Sequence, residues 1–487
     1  MSSYDPRTGA ALEAPPESTL DEVDDTVAAA VAAAQEVAAA APGERAGWLE
    51  AIADSLQDRK DELAEAADEE VALGLPRLIE ECGRAADTIR FYASVVREGG
   101  WLGAAIDSGP PDLRRVNVPL GPVAVFGAGN FPFGFGVLGH DTATALAAGC
   151  PVVAKAHPAH PRLSAALAEL AWSALDETGA PAGSLGLIGG FAAGSRLVGH
   201  PGIRAVAFTG SQRGGLALWR QAAERDDVIP VFAEMGTVNT AVVTPAAAGN
   251  FDENGFVASF TLGMGQFCTK PGLLLAPAQA GIPERVAAAL GANAPRGWLL
   301  TEQIAVAYQQ GVKNLEETGA RVLTRTAEAE GGWKAQPTVL AVTTAGLRSD
   351  PTLLEEVFGP VALVAEYGSR EELDEVLEIL PGSLATAVHA AEDDPDLPGL
   401  VERLSRTSGR VVVNGWPTGV AVGWAQQHGG PWPATTSPAH TSVGAAALQR
   451  FLRPVTYQNA PDAALPPPLR AANPWRIPRR VDGNREQ

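Results

Sequence analysis

Cysteine carries one of the strongest nucleophiles a side chain can offer near neutral pH, and this chain of 487 residues has only three of them. One, Cys268, stands in Gly265-Gln266-Phe267-Cys268-Thr269-Lys270, a glycine-flanked turn after the apolar run Phe256 to Met264. A thiolate needs an accessible, polar or electropositive setting to act as nucleophile or metal ligand. Without one, a cysteine is a small buried hydrophobe. Thirty-four positions earlier, Phe232-Ala233-Glu234-Met235-Gly236 supplies a carboxylate that could act as general base for a second, hydrolytic step.

Other segments carry groups suited to a nucleotide or a developing oxyanion. Phe208-Thr209-Gly210-Ser211-Gln212-Arg213-Gly214-Gly215 puts Gly210 and Ser211 between a strand and a helix. Free amides at a helix start suit a pyrophosphate, although no G-x-G-x-x-G follows a strand here and a plain turn is the alternative. Lys155, ending its strand, could reach ribose hydroxyls or simply point to water. Asn130, in Gly129-Asn130-Phe131-Pro132-Phe133-Gly134, could aim an amide N–H at an oxyanion or serve its own turn. In Glu355-Glu356-Val357-Phe358-Gly359-Pro360 a carboxylate could bind a ribose or end a solvated helix. His157 and His160 have the spacing of a helical metal pair, but Pro158 and Pro161 break the helix, so they read as loop residues and no metal is expected.

The elements that must position these groups alternate. Residues 19 to 99 follow a helical pattern of apolar positions three and four apart, with a cap near Ser18 or Thr19. Arg114 to Pro119 reads as a short exposed strand. From Gly121 strands and helices alternate: strands at 123–126, 151–155, 185–189 and 204–208, helices at 141–148 and 162–178. Such alternation implies βαβ units and a parallel sheet covered on both faces. Ligands on these sheets bind outside the carboxyl ends of the strands, which singles out the turns after Phe126, Lys155 and Phe208. A second α/β block runs from Glu234 to about Thr436, with buried strands at 360–364 and 410–414. The segment Val443 to Tyr457 could pair with the isolated strand near Val116 or reach a neighbouring subunit.

Composition narrows the function classes. A length of 487 residues implies two or three domains. The formal charge of −21 argues against nucleic acid, which requires clustered Lys and Arg. Three widely spaced cysteines make neither a disulfide scaffold nor a zinc pattern. Met1 to Arg7 lacks the layout of a signal peptide, and no run reaches the roughly 20 apolar residues of a spanning helix. A soluble, cytoplasmic protein with no membrane partner is expected.

Taken in order, the Asn-Phe-Pro turn, the strand-end Lys, Phe-Thr-Gly-Ser, Glu-x-Gly, the Cys loop, Glu-Glu-x-Phe-Gly-Pro and a late Asn-Gly resemble the aldehyde dehydrogenase superfamily from about Asp5 to Gln458. With Lys155 to Pro161 and His428-Gly429-Gly430-Pro431-Trp432-Pro433-Ala434-Thr435-Thr436, the chain resembles the NADP-type branch, which includes α-ketoglutaric semialdehyde (2,5-dioxopentanoate) dehydrogenases and some long-chain aldehyde dehydrogenases. The resemblance implies an α/β fold of two Rossmann-like parallel domains plus a small β oligomerisation element. It assigns 1–104 and 121–233 to cofactor binding, 234–436 to catalysis, and 105–120 with 437–487 to oligomerisation strands and tail, in a homodimer or homotetramer.

By the same resemblance Cys268 is the nucleophile toward an aldehyde, Asn130 holds the oxyanion, and Glu234 activates water against the thioester. Lys155 and Glu356 hold the cofactor riboses, Gly210 and Ser211 the pyrophosphate, and Phe358 the nicotinamide ribose. NAD-preferring members often carry a glutamate where Pro158 stands here, so NADP is preferred with NAD possible; Arg196 is a candidate 2′-phosphate partner or an ordinary surface arginine. Phe133, Phe267, Thr269 and Trp416 adjoin the matched motifs and are candidate walls of the aldehyde tunnel. The implied substrate is the semialdehyde, with aliphatic, fatty or aromatic aldehydes as the broad alternative. Other classes of reading are CoA acylation, against which Glu234 counts, a cysteine hydrolase or thioesterase without redox chemistry, and an inactive scaffold.

Overall fold

A computed structural model describes residues 1–486. Helix Leu20–Ala39 begins at a reciprocal cap: Thr19 Oγ1 accepts from the Glu22 amide at 3.2 Å and the Glu22 carboxylate accepts from the Thr19 amide at 2.7 Å. It is followed by helices Pro42–Asp58, Lys60–Val71 and Leu75–Glu98.

Three larger sheets organise the rest. The first has five parallel strands in the order Leu185–Ile188, Val152–Lys155, Val123–Phe126, Ala205–Gly210, Val231–Met235. Its side chains alternate between two cores. Val123 and Val125 pack with the helices of residues 42–98 and 140–177, whereas Ala124 and Phe126 pack with Val23, Val27 and Leu197. Burial on both faces is why these strands read as continuous apolar runs. The chain order reverses between Val123–Phe126 and Ala205–Gly210, so the Asn130 turn and the Ser211 helix start leave adjacent strands at the switch point, where such sheets bind ligands.

The second sheet has seven strands in the order Arg321–Arg325, Thr338–Thr343, Val361–Tyr367, Pro271–Pro277, Asn239–Val243, Thr386–His389, Val411–Val413, all parallel except the first pair. The third joins Leu452–Gln458, Leu113–Pro119, Ala105–Asp107, Arg479–Val481 and Asn484–Glu486. Val455 lies opposite Val116, so the two distant segments pair within one chain.

The boundary expected at 234 falls inside a strand. Glu234 is the fourth residue of Val231–Met235, in register with Thr209, so this carboxylate rides on the first sheet and the chain enters the second only at Asn239. Among the described residues no helix is long and apolar enough to cross a membrane.

Candidate active site

Cys268 sits on the loop between helix Glu253–Thr261 and strand Pro271–Pro277. The chain reverses through Gly263, Met264 and Gly265, all at positive φ. Only glycine fits at 265, because a Cβ there would fall 2.2 Å from the Gly359 carbonyl oxygen. Asn239 brackets the loop from the neighbouring strand: its Nδ2 donates to the Cys268 carbonyl at 2.8 Å and the Lys270 carbonyl at 3.0 Å, and its Oδ1 accepts from Ala385 N–H. Lys270 runs beneath and donates from Nζ to the carbonyls of Val357, Gly359 and Val361 at 2.9, 2.9 and 3.0 Å. A buried ammonium thus has all three protons placed, and the Cys loop is fastened to the Glu356 segment.

Glu234 and Cys268 converge on a third residue, His428. His428 Nε2 lies 3.7 Å from Cys268 Sγ and 3.0 Å from Glu234 Oε1, and the Ser442 hydroxyl donates to Glu234 Oε2. The loop carrying His428 is held by its own backbone: the His428 amide donates to Thr441 Oγ1 at 2.8 Å, and the Ser442 amide to the His428 carbonyl at 2.8 Å. Met235 N–H donates to the Ala434 carbonyl at 2.8 Å, which stitches that loop to the Glu234 strand. Thiol and carboxylate thus meet at one imidazole nitrogen, Nε2, whereas Nδ1 is buried without a partner, so His428 bridges Cys268 and Glu234 rather than standing in series between them. Their donor atoms all lie within 4.8 Å of one another, a thiol–imidazole–carboxylate set that would also suit a zinc ion.

The electrostatics explain why a base is needed. Burial, then the charges of Glu234 and Glu356, push the Cys268 thiol well above its ordinary range, so it rests as the thiol. Burial raises Glu234 too, but the His428 contact and the Ser442 hydrogen bond outweigh it and hold the carboxyl below its usual value. Glu356 is raised by burial, with Lys270 opposing; Lys270 is lowered by the same burial.

Asn130 is buried, with its Nδ2 donating to the Gln266 carbonyl at 2.8 Å, two residues before Cys268. A cleft of about 1600 Å³ runs from this centre across the first sheet. Cys268, Glu234, Asn130, Lys155, Gly210, Ser211, Glu356 and Phe358 all line it. Its walls fit a dinucleotide. Ser211 Oγ caps helix Gln212–Ala223, the Thr209 hydroxyl is buried without a partner, and burial lowers Lys155 at its strand end. A Cβ on Gly236 would fall 2.0 Å from Glu356 Oε2, so glycine there lets the carboxylate reach the cleft.

The remaining expected residues sit elsewhere. Arg196 is engaged by Asp24 through two 2.7 Å hydrogen bonds and does not line the cleft; Arg213 does. Phe133 is 1% exposed in the core, where its amide donates to Glu81 at 3.0 Å, so its ring is no tunnel wall. Phe131 and Phe135 line the cleft instead, since the tight turn swaps the faces. Phe267 packs edge to face on Phe131 at 4.9 Å, Thr269 donates its hydroxyl to the Thr418 carbonyl at 3.0 Å, and Trp416 packs on His389 and Phe251. His157 and His160 stack at 5.2 Å.

Sequence reasoning gave no role to His428, Arg213 or Phe191. His428 follows Cys268 by 160 positions in a Gly- and Pro-rich loop, and its only signal is being the lone titratable residue of that motif. Phe191 is 90% exposed on the cleft, an apolar ring that a purine face could cover.

Comparison with known proteins agrees with this geometry. The model of the aldehyde dehydrogenase family matches residues 1–454. Alpha-ketoglutaric semialdehyde dehydrogenase 2 of Azospirillum brasilense is 44% identical over 100% of this chain and 96% of its own length. Alpha-ketoglutaric semialdehyde dehydrogenase of Acinetobacter baylyi is 40% identical over 96% of this chain and 92% of its own. Among solved structures, a mutant aldehyde dehydrogenase from Bacillus cereus superposes with a TM-score of 0.83 at 23% identity, covering 94% of this chain and 92% of that one.

Proposed function

The chain belongs to the aldehyde dehydrogenase family, and from that premise we propose that it oxidises α-ketoglutaric semialdehyde to 2-oxoglutarate through a covalent intermediate on Cys268. The observation that carries the proposal is the meeting of Cys268, His428 and Glu234 at one end of the dinucleotide-sized cleft, with Asn130 beside them.

The thiol proton passes to the Glu234–His428 pair, in which the ionised carboxylate is the base and His428 Nε2 its hydrogen-bond donor, as Sγ adds to the aldehyde carbon, which forms a C–S bond and turns the carbonyl oxygen into an oxyanion. Asn130 Nδ2, which here donates to the Gln266 carbonyl, and the Cys268 amide would donate to that oxyanion, a reading supported by the closeness of the Asn130 side chain to the Cys268 loop. A bound nicotinamide supplies the hydride acceptor; Lys155, Ser211, Glu356 and Phe358 line the wall that would hold it. The thioester left on Sγ is cleaved by a water whose proton passes to the Glu234–His428 pair, returning the acid and the free thiol. The buried Glu234 carboxylate, ionised by its contacts, is suited to that second step.

NADP preference is supported by Pro158, which presents no carboxylate to a 2′-phosphate, and by Arg213 on the cleft wall. Glu17, the acid that faces Lys155, is the group an NAD ribose would use. A homodimer or homotetramer is supported by strand Leu452–Gln458, which pairs with Leu113–Pro119 on one side and forms an open edge of the third sheet on the other, where its outward backbone groups could pair with a second copy. A solution mass at a multiple of 50.3 kDa is expected.

The experiment is reduction of each nicotinamide dinucleotide by purified protein with the semialdehyde and a panel of uncharged aldehydes. Selective turnover of the semialdehyde supports the proposal. Ester hydrolysis with no nicotinamide requirement, and no aldehyde oxidation, overturns it.

A further inference from the structure

We propose that Arg77 is the anchor for the substrate's terminal carboxylate, an inference that rests on the semialdehyde reading above. Arg77 is the third residue of helix Leu75–Glu98. Its guanidinium lies 5.2 Å from the Phe131 ring centre and 5.0 Å from that of Phe267. Its Nη2 donates to the Asn130 carbonyl at 2.8 Å. Arg77 is therefore fastened to both turns that build the reacting centre, one carrying Asn130 and the other carrying Cys268 next to Phe267.

One donor remains free. Arg77 Nη1 is buried and has no partner. The acid that faces it, Glu81, accepts from the Phe133 and Gly134 amides at Oε1, at 3.0 and 3.1 Å, and its Oε2 makes no hydrogen bond to Nη1 or to any other group. Nη1 abuts Gly263, where a Cβ would fall 2.3 Å from it, and Leu262 beside it is 48% exposed. The unpartnered donor thus lies just under the surface on the Phe267 side of the nucleophile.

A buried charged donor without a hydrogen-bond partner is costly, and an arriving carboxylate offsets that cost while fitting the planar fork. The semialdehyde separates aldehyde and carboxylate carbons by four bonds of about 1.5 Å, or about 5 Å end to end. With Sγ bonded to one end, a carboxylate paired with Arg77 would lie beside the ring of Phe267, the residue before Cys268, over which the guanidinium sits at 5.0 Å. An uncharged aldehyde of the same length leaves Nη1 without a partner, which would give discrimination on the order of 100-fold in kcat/KM.

The test compares kcat/KM for α-ketoglutaric semialdehyde and for pentanal in the wild type, Arg77→Met and Arg77→Lys, with Arg410→Gln as control. Arg410 is the cation that faces the Cys268 thiol, but its terminal nitrogens donate to the carbonyls of Pro417 and Gly419. The expected result is a roughly 100-fold fall in the semialdehyde-to-pentanal ratio for Arg77→Met, carried mainly by KM, and partial recovery in Arg77→Lys. Equal losses on both aldehydes in both Arg77 variants would make Arg77 a structural tie and overturn the proposal. A selective loss in Arg410→Gln alone would overturn it too. A wild type that prefers pentanal would instead refute the substrate reading, and the anchor with it. Should Arg77→Met fail to fold, Arg77→Lys and the weakening of 2-oxoglutarate binding, followed by tryptophan fluorescence, decide the question.

Discussion

Replacing Lys270 with methionine removes the tie between the nucleophile loop and the segment that carries Glu356. The substitution nearly conserves volume, so the change lies in polar bonding. Three hydrogen bonds from a charged donor disappear, and the carbonyls of Val357, Gly359 and Val361 lose their lysine partner in a buried setting. Each such bond contributes about 1.5–3 kcal/mol. Removing the buried ammonium returns several kcal/mol of desolvation cost. The balance is a destabilisation of about 2–4 kcal/mol, because the stranded carbonyls remain. A second effect is electrostatic. Glu356 is already raised by burial, and Lys270 is the cation opposing that shift. Without it the carboxyl is protonated at neutral pH and accepts poorly from a ribose, so cofactor affinity should fall about tenfold, roughly 1.4 kcal/mol. Urea unfolding followed by the fluorescence of the ten tryptophans gives the first quantity, and cofactor titration of the folded protein gives the second. A variant within about 0.5 kcal/mol of wild type, with unchanged cofactor affinity, would refute both arguments.

Cys268→Ala should abolish aldehyde oxidation while leaving cofactor binding within twofold, about 0.4 kcal/mol; turnover by this variant would remove Cys268 from the mechanism. His428→Phe, which keeps a ring in the loop but removes the nitrogen that Cys268 and Glu234 share, should slow the first turnover about 10²–10⁴-fold with little change in melting temperature. A first-turnover rate like that of wild type would show that the thiol proton leaves without the Glu234–His428 pair. Because Glu356 is raised above the ordinary carboxyl range, cofactor affinity should strengthen as pH climbs through that raised pKa, and Glu356→Gln should flatten the profile. The sign for stability is opposite. The raised pKa favours the folded state at acid pH and loses that contribution as pH rises, so Glu356→Gln should gain stability over wild type at neutral pH. A pH-independent affinity in the wild type contradicts the ribose role.

Much of the cofactor side was legible because local sequence determines it. The strands Val123–Phe126 and Val152–Lys155 are short apolar runs bounded by glycine and proline, and the motifs at their carboxyl ends fall on the cleft by the geometry of parallel sheets. The aldehyde side was less legible because long-range packing decides it. Phe133 adjoins a matched motif, yet the turn after Asn130 rotates it into the core and presents Phe131 and Phe135. Arg196 looked available, yet Asp24, 172 positions away in sequence, engages it. His428 and Arg77 acquire meaning only through neighbours that no periodicity reveals, since each lies in a segment remote from Cys268 and Asn130.

The central claim is that Cys268 carries an acyl group whose release depends on Glu234. Stopped-flow absorbance of reduced nicotinamide with Glu234→Gln and saturating semialdehyde tests it most directly, paired with mass analysis of the quenched protein. The account predicts a burst of about one reduced cofactor per subunit, then turnover slowed by about 10²-fold or more, with an acyl adduct on the Cys268 peptide. Steady turnover at the wild-type rate, or a quenched protein with no adduct on Cys268, would contradict it.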